Sequence, residues 1–356
     1  MLRLALIFGG RSAEHEISLA SARFVSSMLD RDKYDVIPVG ITPAGRWVVP
    51  ADFDAATTDG LDAAESQAAH LVSDPTRPGL ELADGSFHPL DFAFPMMHGT
   101  FAEDGTIQGL LDMAGLAYAG SGVLASAVGM DKELMKAVFA SAGLPQMDYL
   151  VLRDAAAVGA DAVAAVEVRL AYPVFVKPAN LGSSVGMTKA HDRAELGPAL
   201  DLAAVHDRKT IVEAACDGRE MECGLLGNDD ARASVVGEVI PANEFYDYEA
   251  KYTDGKMAFI IPADVEERHS ERMRELAVTA FRAIDASGFS RCDFFLEEST
   301  DSVILNEINT IPGMTAMSGF PRLWAAAGVD GATLIEEIVR LGLERHQRLA
   351  RLKMAR

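Results

Sequence analysis

Apolar residues fill 2–8 apart from Arg3 and end at Gly9-Gly10, after which the period of the pattern changes. The spacing predicts a buried strand over 2–8, a helix over 17–29, strands over 34–41 and 91–97, and a helix over about 106–114. Strand, glycine turn and helix in that order open a doubly wound parallel sheet. Between 42 and 88 the pattern is broken by Ala, Asp and Gly, and the stretch reads as a surface elaboration. A second block follows, with a helix over 131–142 closed by Gly143 and Pro145, a strand over 149–152, an alanine-rich helix over 156–170 and a strand over 173–178 halted by proline. A third block starts near 211. It carries strands over 220–226 and 234–241, a polar aromatic loop over 243–256, and a helix in which Met273, Leu276, Ala277, Ala280, Phe281 and Ile284 recur at intervals of three and four. A closing helix runs from about 332. The fold class is α/β, passing to α+β in the later blocks, and the expected units are 1–125, 126–213 and 214–356.

Two strand-like stretches between that helix and the closing one concentrate chemistry. In Arg291-Cys292-Asp293-Phe294-Phe295, Arg291 and Asp293 fall on one face; in the following Asn306-Glu307-Ile308-Asn309, Glu307 and Asn309 do the same. If the strands pair, three oxygen donors and a guanidinium face one space. That set suits Mg²⁺ held against a polyphosphate, because hard cations take carboxylate and carbonyl oxygens and keep phosphates as further ligands. The alternative is a structural salt bridge on half-buried strands, which leaves several polar groups to be buried without a ligand.

Other segments gain meaning from company. Gly182-Ser183-Ser184-Val185-Gly186 lacks the ending of a P-loop and the Rossmann spacing, yet with Lys177 upstream on a strand it reads as a phosphate cover. Lys132, at a helix start, reads alone as a surface lysine. Glu213 and Glu220 can accept from ribose hydroxyls or an exocyclic amine, or can cap turns. The stretch 12–18, with Glu14, leaves the first strand where open sheets bind ligands, and His98-Gly99 follows another strand end. Aromatic and charged residues mixed over 243–252 fit a lid that excludes water.

Composition narrows the partners. The chain has 356 residues, long for one core, and 32 basic against 53 acidic residues give a charge of −21. That argues against nucleic acid or an anionic membrane surface as a partner. The three cysteines, Cys216, Cys223 and Cys292, lack metal-ligand spacing and read as reduced thiols of a cytoplasmic protein. No apolar stretch approaches the roughly 20 residues that span a bilayer.

Taken in order, the segments resemble the D-alanine:D-alanine ligases of the ATP-grasp superfamily over nearly the whole chain. The matching pieces are Gly9-Gly10-Arg11-Ser12-Ala13-Glu14-His15-Glu16, His98-Gly99 with Glu103-Asp104-Gly105-Thr106, Met130-Asp131-Lys132, the Lys177 and Ser183 stretch, Tyr246 to Tyr252, Arg291 to Asp293, and Asn306 to Gly313. The resemblance implies a two-part ATP-grasp fold after the parallel sheet, with ATP as cosubstrate, two Mg²⁺ ions with Mn²⁺ as a substitute, and a homodimer. It implies ligation of two D-alanines through an acyl phosphate for peptidoglycan synthesis, with D-serine or D-lactate as alternative acceptors. By carry-over Lys132, Lys177 and Ser184 meet phosphates, and Glu213, Ala214, Ala215, Glu220, Phe245, Lys251, Phe295 and Asn306 belong to the nucleotide site. Asp293, Glu307 and Asn309 hold metal. Glu14 takes the first D-alanine's ammonium with His98 nearby, and Ser183 and Tyr252 link to Glu14. Arg291 and the amide of Gly313 face the oxyanion, and Ser318 and Lys251 address the second carboxylate. Many relatives carry a bulky Leu or Met where this chain has Gly319, an expected loosening of the second pocket.

Overall fold

The computed structural model describes residues 1–153, 159–241 and 257–352. The opening apolar run forms the strand Leu2–Gly9, whose residues from Leu4 to Phe8 are essentially inaccessible, as expected of a parallel strand covered on both faces. It lies between Tyr34–Ile41 and Phe92–Pro95, parallel to both, and Ala117–Tyr118 extends the parallel part. Gly9 and Gly10 have φ of +85° and +110°, and a Cβ on Gly9 would stand 2.3 Å from the carbonyl oxygen of Ile41. Only glycine turns the chain there, and the turn delivers Glu14 to the start of the helix His15–Met28 at the carboxyl ends of the strands.

The segment over 42–88 is not a surface elaboration. Trp47–Pro50, Ser66–Leu71, Gly79–Leu82 and Phe87–Pro89 pair antiparallel in succession onto Tyr34–Ile41, giving one mixed sheet of eight strands. These edge strands are short and half exposed, so the alternation that marks a strand is weak in them.

The second sheet is antiparallel, in the order Thr188–Ala190, Val174–Pro178, Lys209–Ala214, Tyr149–Arg153. The helices Ala160–Arg169 and Arg193–His206 cover it through Val163, Val166, Leu196 and Leu200. The second of these carries Pro198 in its interior, which disguises the helical pattern in the sequence. The helix expected over 131–142 begins one residue late, because Asp131 ends Val123–Met130 and then caps Lys132–Ser141, accepting from the amides of Glu133 and Leu134.

Five antiparallel strands make the third sheet, in the order Met257–Ile260, Arg232–Pro241, Arg219–Gly227, Gly288–Glu297, Ser302–Asn309. The helix Glu267–Ala283 buries Met273, Leu276, Ala277, Ala280 and Phe281 against one face. On the other side the helices Gly319–Ala326 and Gly331–Ala350 contribute Phe320, Trp324 and Ile338 to a core shared with Leu4, Phe92, Phe94 and Phe289. That shared core fixes the third sheet against the first, with the second sheet's glycine loop reaching both.

Candidate active site

The two acidic strands pair as their alternation implies. Arg291 lies opposite Asn309 and Asp293 opposite Glu307, with a bulge immediately after Asp293. The guanidinium of Arg291 donates Nε and one terminal nitrogen to the two oxygens of Asp293, each at 2.6 Å, and the amide of Asn309 donates to the same carboxylate at 3.0 Å. Glu222, buried on the neighbouring strand, brings Oε1 to 3.4 Å from Arg291 Nε. Two carboxylates and an amide oxygen are the hard donors Mg²⁺ takes. Among the described residues no three His, Cys, Asp or Glu side chains form a ready cage.

A cleft opens from these strands toward the second sheet. Lys132, Lys177, Ser183, Ser184, Glu213, Ala214, Glu220, Asp293, Phe295, Asn306 and Glu307 line it. Lys132 reaches Glu307 at 3.6 Å and donates to the carbonyl of Leu181 at 2.8 Å, so it tethers the glycine loop to the acidic strand. In the loop Ser183 and Ser184 have φ of +48° and +58°, and Gly186 has +71°. Two non-glycine residues held in left-handed conformation mark a backbone constrained for a task.

Lys177 pairs with Glu213 at 2.5 Å, and the other oxygen of Glu213 faces Lys136. Glu213 is buried, which alone would push its carboxyl up; the two ammonium groups overcome this and hold it down at about 2. Burial likewise opposes the charge on Lys177, and Glu213 reverses the effect, so its pKa is raised. The carry-over treats Glu213 only as a nucleotide contact; here it also balances two lysines. Lys136, 1% exposed, escapes sequence reading because a lysine on a helix is normally solvated.

A second cluster of polar residues forms where the first sheet meets the glycine loop. Ser183 Oγ donates to Glu14 Oε1. Gly99 and Gly182 crowd the same carboxylate, since a Cβ on either would stand 2.6 Å or 3.0 Å from Glu14 Oε2. His98 is buried, with Nδ1 3.0 Å from the carbonyl oxygen of Ile311 and Nε2 3.1 Å from Ser21 Oγ. Burial pushes its pKa down, and a neutral ring protonated on Nδ1 satisfies both contacts. Glu103 accepts from the amides of Gly99 at 3.0 Å and Ile311 at 3.2 Å, and burial with the nearby charge of Glu14 raises its pKa to about 8.

Gly313 and Ser318 are adjacent, because a Cβ on Gly313 would lie 3.1 Å from Ser318 Oγ. Ser318 accepts from the amide of Thr315 at 3.0 Å and precedes the helix beginning at Gly319. Gly319 does not leave an open pocket: the carboxylate of Glu222 occupies the space beside it. Ala215 does not line the cleft, and its amide is bonded to the carbonyl of Pro173 at 3.1 Å. Cys216 lies in the wall instead, its thiol pushed up to about 11 by burial. Phe245, Lys251 and Tyr252 fall outside the described residues.

A strained glycine loop, lysines facing a pair of acidic strands and a three-sheet frame define an ATP-grasp carboxylate–amine ligase. Models of the D-ala D-ala ligase N-terminus and C-terminus match residues 3–121 and 138–340. The chain belongs to the D-alanine–D-alanine ligase family. It is 44% identical to a D-alanine–D-alanine ligase of Thermoanaerobacter sp. (strain X514), with 98% of each chain covered. A second relative of that name, from Ruminiclostridium cellulolyticum, is 46% identical, with 97% of this chain and 96% of the relative covered. Among solved structures, the VanG D-Ala:D-Ser ligase from Enterococcus faecalis superposes with a TM-score of 0.87 at 32% identity, covering 96% of this chain and 99% of that one. The D-alanine–D-alanine ligase from Coxiella burnetii gives 0.85 at 31% identity, covering 98% and 96%.

Proposed function

We propose that this chain joins two D-alanines into D-alanyl-D-alanine with conversion of ATP to ADP and phosphate, supplying peptidoglycan synthesis. The observation that carries the reading is the pairing of the strands that bear Arg291, Asp293, Glu307 and Asn309, with Asp293 and Glu307 lining a cleft that also holds Lys132 and Lys177. A carboxylate oxygen of the first D-alanine attacks the γ-phosphorus, the bond to the β,γ-bridging oxygen breaks, and ADP leaves. The amine of the second D-alanine, having lost its proton, attacks the acyl carbon, and phosphate departs as the carbon–oxygen bond breaks. Lys132, Lys177 and the loop at Ser184 position the phosphates, because phosphoryl transfer is governed by positioning and charge. Ala214, Glu220, Phe295 and Asn306 border the nucleotide.

Asp293, Glu307 and Asn309 would hold two Mg²⁺ ions, which supply charge neutralisation on the transferring phosphoryl group. Glu14, aligned by Ser183, meets the ammonium of the first D-alanine, and buried neutral His98 lies beside it. Arg291 and the amide of Gly313 receive the oxygen that becomes negative in the tetrahedral intermediate, and Ser318 addresses the second carboxylate. Lys251, Phe245 and Tyr252 belong to the closing segment in this reading. The units 1–125, 126–213 and 214–356, a homodimer and a cytoplasmic location complete it. No helix among the described residues is long and apolar enough to cross a membrane.

The test is a coupled assay of ADP release with a panel of amino acids. Release that requires D-alanine, yields the dipeptide and ignores L-alanine supports the proposal; tight ATP binding with no release dependent on D-alanine contradicts it.

A further inference from the structure

Residue 319 opens a helix at the acceptor end of the cleft, and its lack of a side chain has a local cause. A Cβ there would stand 2.0 Å from Oε2 of Glu222 and 3.1 Å from the ring of Phe259. The obstacle is not the free end of a surface side chain. Glu222 is 2% exposed and sits on the central strand of its sheet, directly opposite Asp293. Its other oxygen is the one that approaches Arg291 Nε at 3.4 Å.

Arg291 is therefore flanked by two carboxylates, Asp293 in the sheet plane's next row and Glu222 across the neighbouring strand. A guanidinium stays charged at any relevant pH, and one left buried without a counter-ion is costly. If Asp293 is shared with a divalent cation, its hold on the arginine weakens, and among the described residues Glu222 is the other carboxylate beside it. Oxyanion stabilisation depends on a cation already in place when charge develops.

We infer that Glu222 is the positioning residue for Arg291 and the wall of the acceptor pocket, its carboxylate taking the volume that a side chain at 319 would otherwise fill. The inference rests on the reading that Arg291 faces the reacting acyl group. It makes Glu222 and Gly319 a reciprocal pair: a glutamate at 222 demands glycine at 319, and any Cβ at 319 drives the carboxylate off Arg291. The acceptor pocket of this chain is thus closed by a buried anion rather than by an apolar side chain.

The experiment compares E222Q, E222D, G319A and the double variant E222D/G319A, with R291A as reference, by steady-state kinetics, ATP binding and thermal unfolding. E222Q keeps the shape and removes the charge, so kcat is expected to fall about tenfold or more while ATP affinity stays within about twofold. G319A is expected to lose kcat to a similar degree and to raise the KM of the second D-alanine. The shorter Asp makes room for the new methyl group, so E222D/G319A should return to within about threefold of E222D alone. Wild-type kcat in E222Q, or G319A and E222D effects that simply multiply, would overturn the inference. If E222Q does not fold, the coupling between G319A and E222D, read in variants that bind ATP, decides the matter. Impaired R291A beside unimpaired E222Q defeats only this inference; unimpaired R291A defeats the underlying role of Arg291.

Discussion

Ser183 donates its hydroxyl hydrogen to Glu14 across 169 residues of sequence, and that one bond ties the glycine loop to the turn that follows the first strand. In the proposed function this couples placement of the loop over the nucleotide to alignment of the carboxylate that meets the substrate ammonium. A hydrogen bond to a charged group contributes about 1.5–3 kcal/mol. Replacing Ser183 with Ala should therefore lower kcat/KM for D-alanine about 10- to 100-fold while leaving ATP binding in the absence of D-alanine nearly unchanged. Glu14→Gln should lose more, because the charge facing the ammonium goes with it. Steady-state titration of D-alanine at saturating ATP checks both, and wild-type kcat/KM in S183A would dissociate the loop from the substrate pocket.

The buried charges around the nucleotide site give a ranking. Glu213 stands between Lys136 and Lys177, so Glu213→Ala leaves two ammonium groups facing each other in the interior. Breaking a buried pair in this way costs about 3–5 kcal/mol. Lys136→Met should cost less, since Lys177 still compensates the carboxylate. Denaturant unfolding of the two variants measures the order, and a smaller loss in Glu213→Ala would contradict it.

How much of this was legible in the sequence depends on the kind of signal. The strand at Leu2–Gly9 and the helix at Glu267–Ala283 were readable because a short, nearly continuous apolar run ending in two glycines and a repeat of three and four have few competing interpretations. The face shared by Arg291 and Asp293, and that shared by Glu307 and Asn309, followed from strand alternation alone; their pairing needed the fold. The edge strands over 66–89 were hidden by their shortness and mixed composition, and the helix Arg193–His206 by its interior proline. Lys136 and Glu222 carry no sequence signal of their own, and Glu103 stands in a matching motif that assigns it no role. Each matters because of a partner brought from far along the chain, and local pattern does not encode such a partner.

Glu103 predicts a pH effect whose sign follows from its environment. Its folded-state pKa is raised from the ordinary 4.5 to about 8, chiefly by burial and then by Glu14. A carboxyl of this kind favours the folded state when protonated, so its contribution is fully present below about pH 4.5 and is lost as pH rises through 8. Glu103→Gln cannot ionise and should remove that loss. Melting temperatures of the two proteins across this window should diverge in favour of the variant as pH increases, and parallel curves would show that Glu103 is ionised throughout.

Arg291 is the fixed cation of the acyl-transfer step in this account, and oxyanion donors typically contribute 10²-fold or more. Arg291→Ala should lower kcat by about that factor with a much smaller change in the KM for ATP. Rapid-quench turnover measures it directly, and full turnover would remove Arg291 from the role.

In the proposed function the cleft lined by Lys132, Lys177, Asp293 and Glu307 transfers the γ-phosphoryl group of ATP to the carboxylate of D-alanine before any peptide bond forms. Positional isotope exchange tests this most directly, with ¹⁸O placed in the β,γ bridge of ATP and Mg²⁺ present. The account predicts that the label moves into the non-bridging β positions when D-alanine is present, and that it stays in place with L-alanine or no amino acid. Scrambling that proceeds at the same rate without D-alanine would contradict it.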